Sequence, residues 1–506
     1  MANLDYAYRR LVNVLGPERV ARAEYDRMVY SHDFASLPKP ALIQWRLYPD
    51  FVAIPQTTEE VSRLVRLSDE TDLPITPRGG GTGLFGGSVP NRGGVLLDLR
   101  KMNKILALDP NDRTITVEAG ATWHDVEEYA LAKGFSLPVV PADAPASTIG
   151  GAINSGSVGF GSMRHGSLRD SVVDLEVVLP DGSVIRTGPG LDGSGAFANL
   201  TPLFFGAEGT LGIVTKAVLS VLPKPEESKA VAFCFDRPEA GVRFLREIVD
   251  AGLSPYHASF LDREHFAFER ALRRESPEPA HTVLVSLQGP KDEVAAEEKS
   301  LDTVGSSLKA ERLGADVASD LWARRHTMYG ARRLSRGLVV SHNLVPVDRL
   351  EEAVEAAAGL IRRLKLNGAI HAALVDASTA SLAPYVLMDD TRPSGGTALG
   401  FVKKMGDAAL ALGGHPMGLG MLMVFNLRRM HGRATGAMGS VKHVFDPKRK
   451  INGGKTIEVW TKFNWPLINT IPPGAMAAGL NLAAFLRRIK PTRDRFVRAY
   501  GRTGGA

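Results

Sequence analysis

Residues Pro77, Arg78, Gly79, Gly80, Gly81, Thr82, Gly83, Leu84, Phe85, Gly86 and Gly87 put six glycines among eleven positions, directly behind Leu73, Pro74, Ile75 and Thr76, which read as a short buried strand. Consecutive glycines lack a Cβ, so they can turn several backbone N–H groups toward one anion and let it approach closely. Arg78 adds a fixed positive charge beside that nest. Taken alone, the cluster fits a flexible loop as well as a phosphate cradle.

A second small-residue segment runs from Pro141 through Ser147, Thr148, Gly150, Gly151 and Asn154 to Gly156. Two such loops can hold opposite ends of one pyrophosphate. No convincing helix follows the first loop, no acidic residue stands at the dinucleotide-fingerprint distance, and no Gly-Lys-Ser/Thr triplet closes it. The pattern therefore argues against a nucleoside triphosphatase.

Further motifs follow in order: Arg164, His165, Gly166; the run Asp174 to Arg186 (DLEVVLPDGSVIR); Phe204 to Thr215 (FFGAEGTLGIVT); Phe445, Asp446, Pro447; and Ile451 to Lys455 (INGGK). With the two loops, this ordered set resembles the vanillyl-alcohol-oxidase and p-cresol-methylhydroxylase flavoprotein superfamily, specifically its glycolate oxidase and D-lactate dehydrogenase branch. The resemblance spans about Tyr48 to Lys455. It implies an α+β fold: a two-lobed FAD-binding domain and a cap domain whose antiparallel sheet is backed by helices.

The resemblance further implies a bound FAD. Arg78, Gly79, Gly80, Gly81, Thr82 and Gly83 fall on the pyrophosphate loop, and Pro141, Ser147, Thr148, Gly150, Gly151 and Asn154 near the flavin and ribityl chain. Glu208, Gly212, Ile213, Val214 and Asn452 complete the set. Thr82 stands where relatives often carry the histidine that attaches flavin covalently, so the FAD is expected to be dissociable.

At 506 residues with 44% hydrophobic content, the chain can form two or three domains. One cysteine, Cys234, excludes an intramolecular disulfide and a cysteine-ligated iron–sulfur cluster; its setting in Val231–Phe235 reads as core. A formal charge of +6 is small for this length, and nucleic acid is not an expected partner. The start lacks an apolar signal core, and no run approaches the roughly 18 apolar residues of a membrane span, which reads as cytoplasmic.

Residues 1–45 read as a helical lead-in, 46–224 as the FAD-binding domain, 225–440 as the cap, 441–455 as a return to the first domain and 456–506 as an extension. Thr57–Asp72 has Val61, Leu64, Val65 and Leu67 at helical spacing behind a threonine N-cap. Strands are expected at Val95–Leu99, Thr114–Glu118, Val172–Leu179 and Val184–Thr187, the last two joined by a two-residue Asp181-Gly182 turn. In the cap, Val231–Phe235, His281–Gln288, Leu338–Pro346 and Ala369–Leu374 read as strands, alternating with helices near residues 240–251, 292–308 and 348–366.

Oxidation of a 2-hydroxy acid needs a cation for the carboxylate and an acceptor for the hydroxyl proton. Trp322, Ala323, Arg324, Arg325 resembles the family's Trp-x-x-Arg element, which makes Arg325 the carboxylate candidate, since a guanidinium offers two parallel donors. The family metal site is broken. His371 matches its first histidine, but Ser378 occupies the second place, and Pro416 and Met417 occupy the later Glu and His places; no metal is expected. His371 and His415 remain as proton acceptors. The family's carboxylate-side lysine falls on Val340, which points to a diverged substrate. His326, Tyr329 and His342 are further candidates that the sequence does not rank.

The tail carries Gly474 to Lys490 (GAMAAGLNLAAFLRRIK), an apolar helical surface followed by basic residues, which suits packing back onto the cap domain, a partner subunit or a peripheral contact at the inner membrane. An iron–sulfur subunit is the expected electron acceptor, as in related dehydrogenases. Two alternatives stay open: an alkylglycerone-phosphate-synthase-like transferase, and a flavin-carrying electron-transfer subunit.

Overall fold

The computed structural model describes residues 3–36, 46–188, 199–272, 280–389 and 394–458. The tail segment 474–490 lies outside them.

The expected helix forms at Thr58–Thr71, where the Thr57 hydroxyl accepts from the Glu60 amide at 3.2 Å and Val61, Leu64, Val65 and Leu67 are buried. It packs with Leu4–Leu15 over a sheet in the order Val20–Ala21, Phe51–Ala53, Val95–Asp98, Ile75–Arg78; the last three strands are parallel. Ile75–Arg78 lies two residues beyond the expected Leu73–Thr76. Arg78 therefore ends a strand and sits at the root of the glycine loop.

The second lobe is an antiparallel sheet ordered Val184–Arg186, Val172–Val178, Ile213–Ser220, Thr114–Glu118, Ile105–Asp109. Its first hairpin differs from expectation. The Gly182 amide bonds to the Leu179 carbonyl, and Leu179 N to Ser183 O, enclosing the three residues Pro180, Asp181 and Gly182. Only Gly182 takes a positive φ, 81°, which a three-residue turn requires at its last position.

Beyond Pro223 the cap builds an eight-stranded antiparallel sheet: Glu311–Arg312, Glu227–Phe235, His281–Gly289, His257–Leu261, His371–Leu374, Thr379–Leu382, Asn343–Pro346, His415–Pro416. Strand alternation gives it two unlike faces. Ala258, Phe260, Val283, Val285, Ala372, Leu374, Ala380 and Leu382 face back into the main core under helices Pro238–Asp250, Lys291–Ser307, Leu350–Arg363 and Ser394–Ala411. The register puts His257, Ser259, Leu261, His371, Ala373 and Ser381 together on the front face.

Two expected strands are each broken. Leu338–Pro346 divides into Gly337–Val340 and Asn343–Pro346, and Ala369–Leu374 into Gly368–Ala369 and His371–Leu374. Gly337–Val340, Tyr385–Met388 and Gly368–Ala369 form a separate three-stranded sheet in the same lateral order as their continuations in the large sheet. Three neighbouring strands thus change sheet at one level, a crease passing Ser341–His342, Ala383–Pro384 and Ile370. The Asp262 carboxylate accepts the Ile370 amide at 2.7 Å and its backbone N–H donates to the Ile370 carbonyl, closing the crease on one side.

Cys234 is half-buried rather than core. It falls on the opposite face of its strand from Phe233 and Phe235, near the hydroxyl of Thr282. Helix Ala434–Phe445 passes from one core to the other: Met438 packs on the cap core, Val441 and Phe445 on the second-lobe core, and Lys442, buried, donates to Thr210 O and Ile451 O and pairs with Asp446.

Candidate active site

The two glycine-rich segments interlock. A Cβ on Gly79 would fall on the Thr148 hydroxyl, and one on Gly80 on the Ala146 carbonyl oxygen, so side chains are excluded where the loops meet. Thr82 and Ser147 donate to the Asp143 carboxylate, whose pKa burial raises. The second segment becomes the helix Ile149–Ser155, with the Thr148 hydroxyl accepting from Gly151 N at 3.2 Å.

Between the loops lies a cavity of about 230 Å³. Arg78, Gly79, Gly80, Gly81, Thr82, Gly83, Ser147, Thr148, Gly150, Gly151, Asn154, Glu208, Gly212, Ile213 and Val214 line it, together with Asp143, Tyr329, His342 and Met417. Two expected residues stand behind this wall. Pro141 belongs to a short strand pair with Gly159–Phe160, and Asn452 braces the wall by donating from Nδ2 to the Gly87 and Glu208 carbonyls at 3.0 and 2.7 Å.

Charge in the wall is buried and mixed. Lys455 is 1% exposed and donates to Gly87 O at 2.8 Å and Asn452 Oδ1 at 2.5 Å; burial lowers its pKa to about 7, against the attraction of Asp33 and Glu208. Asp33, 3% exposed, is pushed up to about 6 by burial, which its bond from Ala35 N and the Arg78 charge partly oppose. Glu208 Oε1 accepts the amides of Leu419 and Gly420 at 2.9 and 2.7 Å, tying a cap loop across the cavity, while Oε2 has no protein partner. Its pKa is raised by burial. Glycine amides, hydroxyls, the Arg78 cation and an unpartnered carboxylate oxygen suit a ligand that carries phosphates at one end and hydrogen-bonding rings elsewhere.

A smaller cavity of about 60 Å³ shares Ala142 with the first. His257, Ser259, Leu261 and His371 reach it from the sheet's front face, facing Phe160, Phe266 and Arg325. The Arg325 guanidinium lies 4.6 Å from the Trp322 ring centre and 5.5 Å from that of Phe160, with Nη1 donating to Trp322 O and Nε without a protein partner. Its pKa is lowered by burial, against the Glu127 carboxylate. His371 Nδ1 is also unpartnered, and burial, with the neighbouring His257, His265 and His342, brings its pKa to about 3.

His415 is not brought to either cavity. It is exposed on the edge strand of the large sheet, with Nδ1 3.2 Å from the Pro416 carbonyl. His326 is occupied by the Ala142 carbonyl at 2.8 Å. Tyr329 and His342, unranked by sequence, both line the larger cavity. Among the described residues, no group of three His, Cys, Asp or Glu side chains is placed to hold a metal ion, and Ser378 turns its hydroxyl to Asp376 at 2.7 Å.

Comparison with known proteins bears on this geometry. An FAD binding domain family matches residues 49–188, and the C-terminal domain family of FAD linked oxidases matches 224–456. The glycolate oxidase subunit GlcD of Bacillus subtilis is 34% identical over 354 residues, 69% of this chain and 74% of that protein. The chain belongs to the FAD-linked oxidase family. A probable mitochondrial D-lactate dehydrogenase of Danio rerio is 33% identical over 81% of this chain and 85% of that protein. In fold, this FAD-linked oxidase resembles p-cresol methylhydroxylase with substrate bound (TM-score 0.76, 19% identity, 90% of this chain and 97% of that one). It also resembles alkyldihydroxyacetonephosphate synthase (TM-score 0.72, 22% identity, 88% and 85%). The protein is therefore an FAD-linked oxidoreductase, and both interlocked loops fall within the matched FAD binding domain. No helix among the described residues is long and apolar enough to cross a membrane.

Proposed function

We propose that the protein is a dehydrogenase that oxidises a D-2-hydroxy acid of the glycolate or D-lactate kind, with non-covalent FAD as the immediate electron acceptor and no metal. The observation that carries this reading is the small cavity beside the FAD site, where a guanidinium 4.6 Å from the Trp322 ring centre and 5.5 Å from that of Phe160 keeps an unpartnered Nε. The Trp322 carbonyl, 3.1 Å away, anchors Arg325 through Nη1, and a planar cation with a free donor matches a carboxylate. The cavity has room for a few heavy atoms, which fits a short acid. The names of the relatives support the same substrate class.

FAD supplies the two-electron acceptor, and the residues of this chain hold and orient the acid. Arg325 binds the carboxylate in the small cavity, and Phe160 and Phe266 exclude water from that ion pair. Electrons then leave to a separate acceptor. With one cysteine the chain cannot ligate its own iron–sulfur cluster by thiolates, and an iron–sulfur partner subunit is the acceptor proposed.

Anaerobic mixing of the holoprotein with glycolate, D-lactate and larger D-2-hydroxy acids tests this directly. At least one should bleach the flavin, and Arg325→Ala should weaken binding of that acid by 10-fold or more, about 1.4 kcal/mol. An unbleached flavin with every acid would defeat the reading.

A further inference from the structure

The crease in the cap sheet places two histidines on the front face with only Ala383 between them. The Ala383 amide donates to the His371 carbonyl on one side. On the other, the pairing of Asn343 with Leu382 continues to set His342 opposite Ala383. The two rings serve different spaces: His371 the small cavity beside Arg325, His342 the FAD cavity.

We propose that His342 is the group that takes the proton from the substrate hydroxyl. This rests on the dehydrogenase reading above. An acid whose carboxylate sits on Arg325 must cross the shared boundary at Ala142 to bring its hydroxyl-bearing carbon to the flavin. The proton acceptor therefore has to line the FAD cavity, and His342 is the histidine among the described residues that does.

Its surroundings suit the role. Nε2 lies 2.8 Å from the Ser381 hydroxyl, and donation from Nε2–H to Ser381 Oγ leaves the lone pair on Nδ1. The His342 carbonyl accepts Met417 N at 2.8 Å, which fixes the backbone at the crease. The ionisable groups around it are His371 across the crease and Tyr329 and Asp143 on the cavity wall, with Arg78 and Glu208 at the glycine-loop end. Burial lowers the His342 pKa to about 4, so the ring is neutral at pH 7.

In the step, the hydroxyl O–H breaks and its proton passes to Nδ1, the C–O bond becomes a carbonyl, and the C–H electron pair leaves with its hydrogen to FAD, which is reduced. The products are a 2-oxo acid, reduced flavin and a protonated imidazole, so atoms and charge balance.

Two measurements test the assignment, one without turnover. In the apoprotein carrying 15N-labelled histidine, the ring signal lost in His342→Gln should show the Nε2–H tautomer and should move when FAD is added; an Nδ1–H tautomer, or a signal indifferent to FAD, overturns the proposal. In the holoenzyme, His342→Ala should load FAD and bind the acid within about threefold of wild type. It should reduce the flavin at least 100-fold more slowly, and imidazole should restore the rate in proportion to its free-base form. A rate within threefold of wild type, or a slow rate that imidazole does not rescue, overturns it. If His342→Ala does not load FAD, Ser381→Ala with a Ser381→Thr rescue carries the kinetic arm, and rates unchanged in both overturn it. A wild-type flavin that no acid bleaches defeats the dehydrogenase reading instead, while the tautomer measurement still decides where His342 points.

Discussion

A methyl group at position 80 would land on the Ala146 carbonyl oxygen, and backbone cannot step aside as a flexible side chain can. Gly80→Ala should therefore separate the two loops and weaken FAD binding at least 10-fold, about 1.4 kcal/mol, in a fluorescence titration of the apoprotein. Gly359 has open space where its Cβ would be, in helix Leu350–Arg363. Gly359→Ala should leave FAD affinity unchanged and add about 0.5–1 kcal/mol of stability. Asp33 makes a pH prediction. Burial raises its folded pKa from 3.8 to about 6, so its favourable contribution is complete below about pH 4 and disappears as pH rises through 6. Asp33→Asn lacks that loss. Between pH 4 and 7 it should gain up to about 3 kcal/mol relative to wild type in urea unfolding; a difference that does not change with pH contradicts the assignment. The glycines at this scale were legible because small residues leave a mark in sequence. The Asp33–Lys455 pair was not, since burial and partnership between residues so far apart leave no local pattern.

Helices and regular strands followed their periodicity, whereas the crease did not show. Val340 to Asn343 and Ala369 to His371 remain compatible with continuous strands by pattern, and only pairing with Tyr385–Met388 reveals the change of sheet. That concealed bend carries His342 to the wall of the larger cavity. His415, on the edge strand instead, was suggested by its neighbourhood in sequence to a glycine-rich motif. In the loop following His415, two amides are tied by one side chain: Glu208 Oε1 accepts both Leu419 N and Gly420 N. Glu208→Ala strands two amides, each costing about 1–3 kcal/mol if left unpaired and buried. Hydrogen exchange at Leu419 and Gly420 should accelerate at least 10-fold in Glu208→Ala and return near wild type in Glu208→Gln, which keeps the acceptor. Equal exchange in all three proteins would show that the loop is held by something else.

Among the polar ties between the two domains, Arg164 makes several. From the short helix Ser162–His165 its guanidinium bonds Glu297 at 2.6 and 2.7 Å and the Ser254 carbonyl at 2.7 Å, and it also reaches the Gln288 carbonyl, all in the cap. Arg164→Ala should lower stability by about 2 kcal/mol and speed FAD release, measured by urea unfolding and stopped-flow fluorescence; unchanged values would place domain cohesion in the other contacts of the interface. Sequence gave notice of Arg164 through the Arg-His-Gly motif, but its partners come from strand and helix positions that no motif marks. The account as a whole depends on FAD held without a covalent bond between the two loops. The most direct test is the visible spectrum of the purified protein, followed by acid precipitation. A yellow protein with one FAD per chain, all of it released to the supernatant, is the predicted result; a colourless protein that takes up no FAD, or flavin that stays with the precipitate, contradicts it.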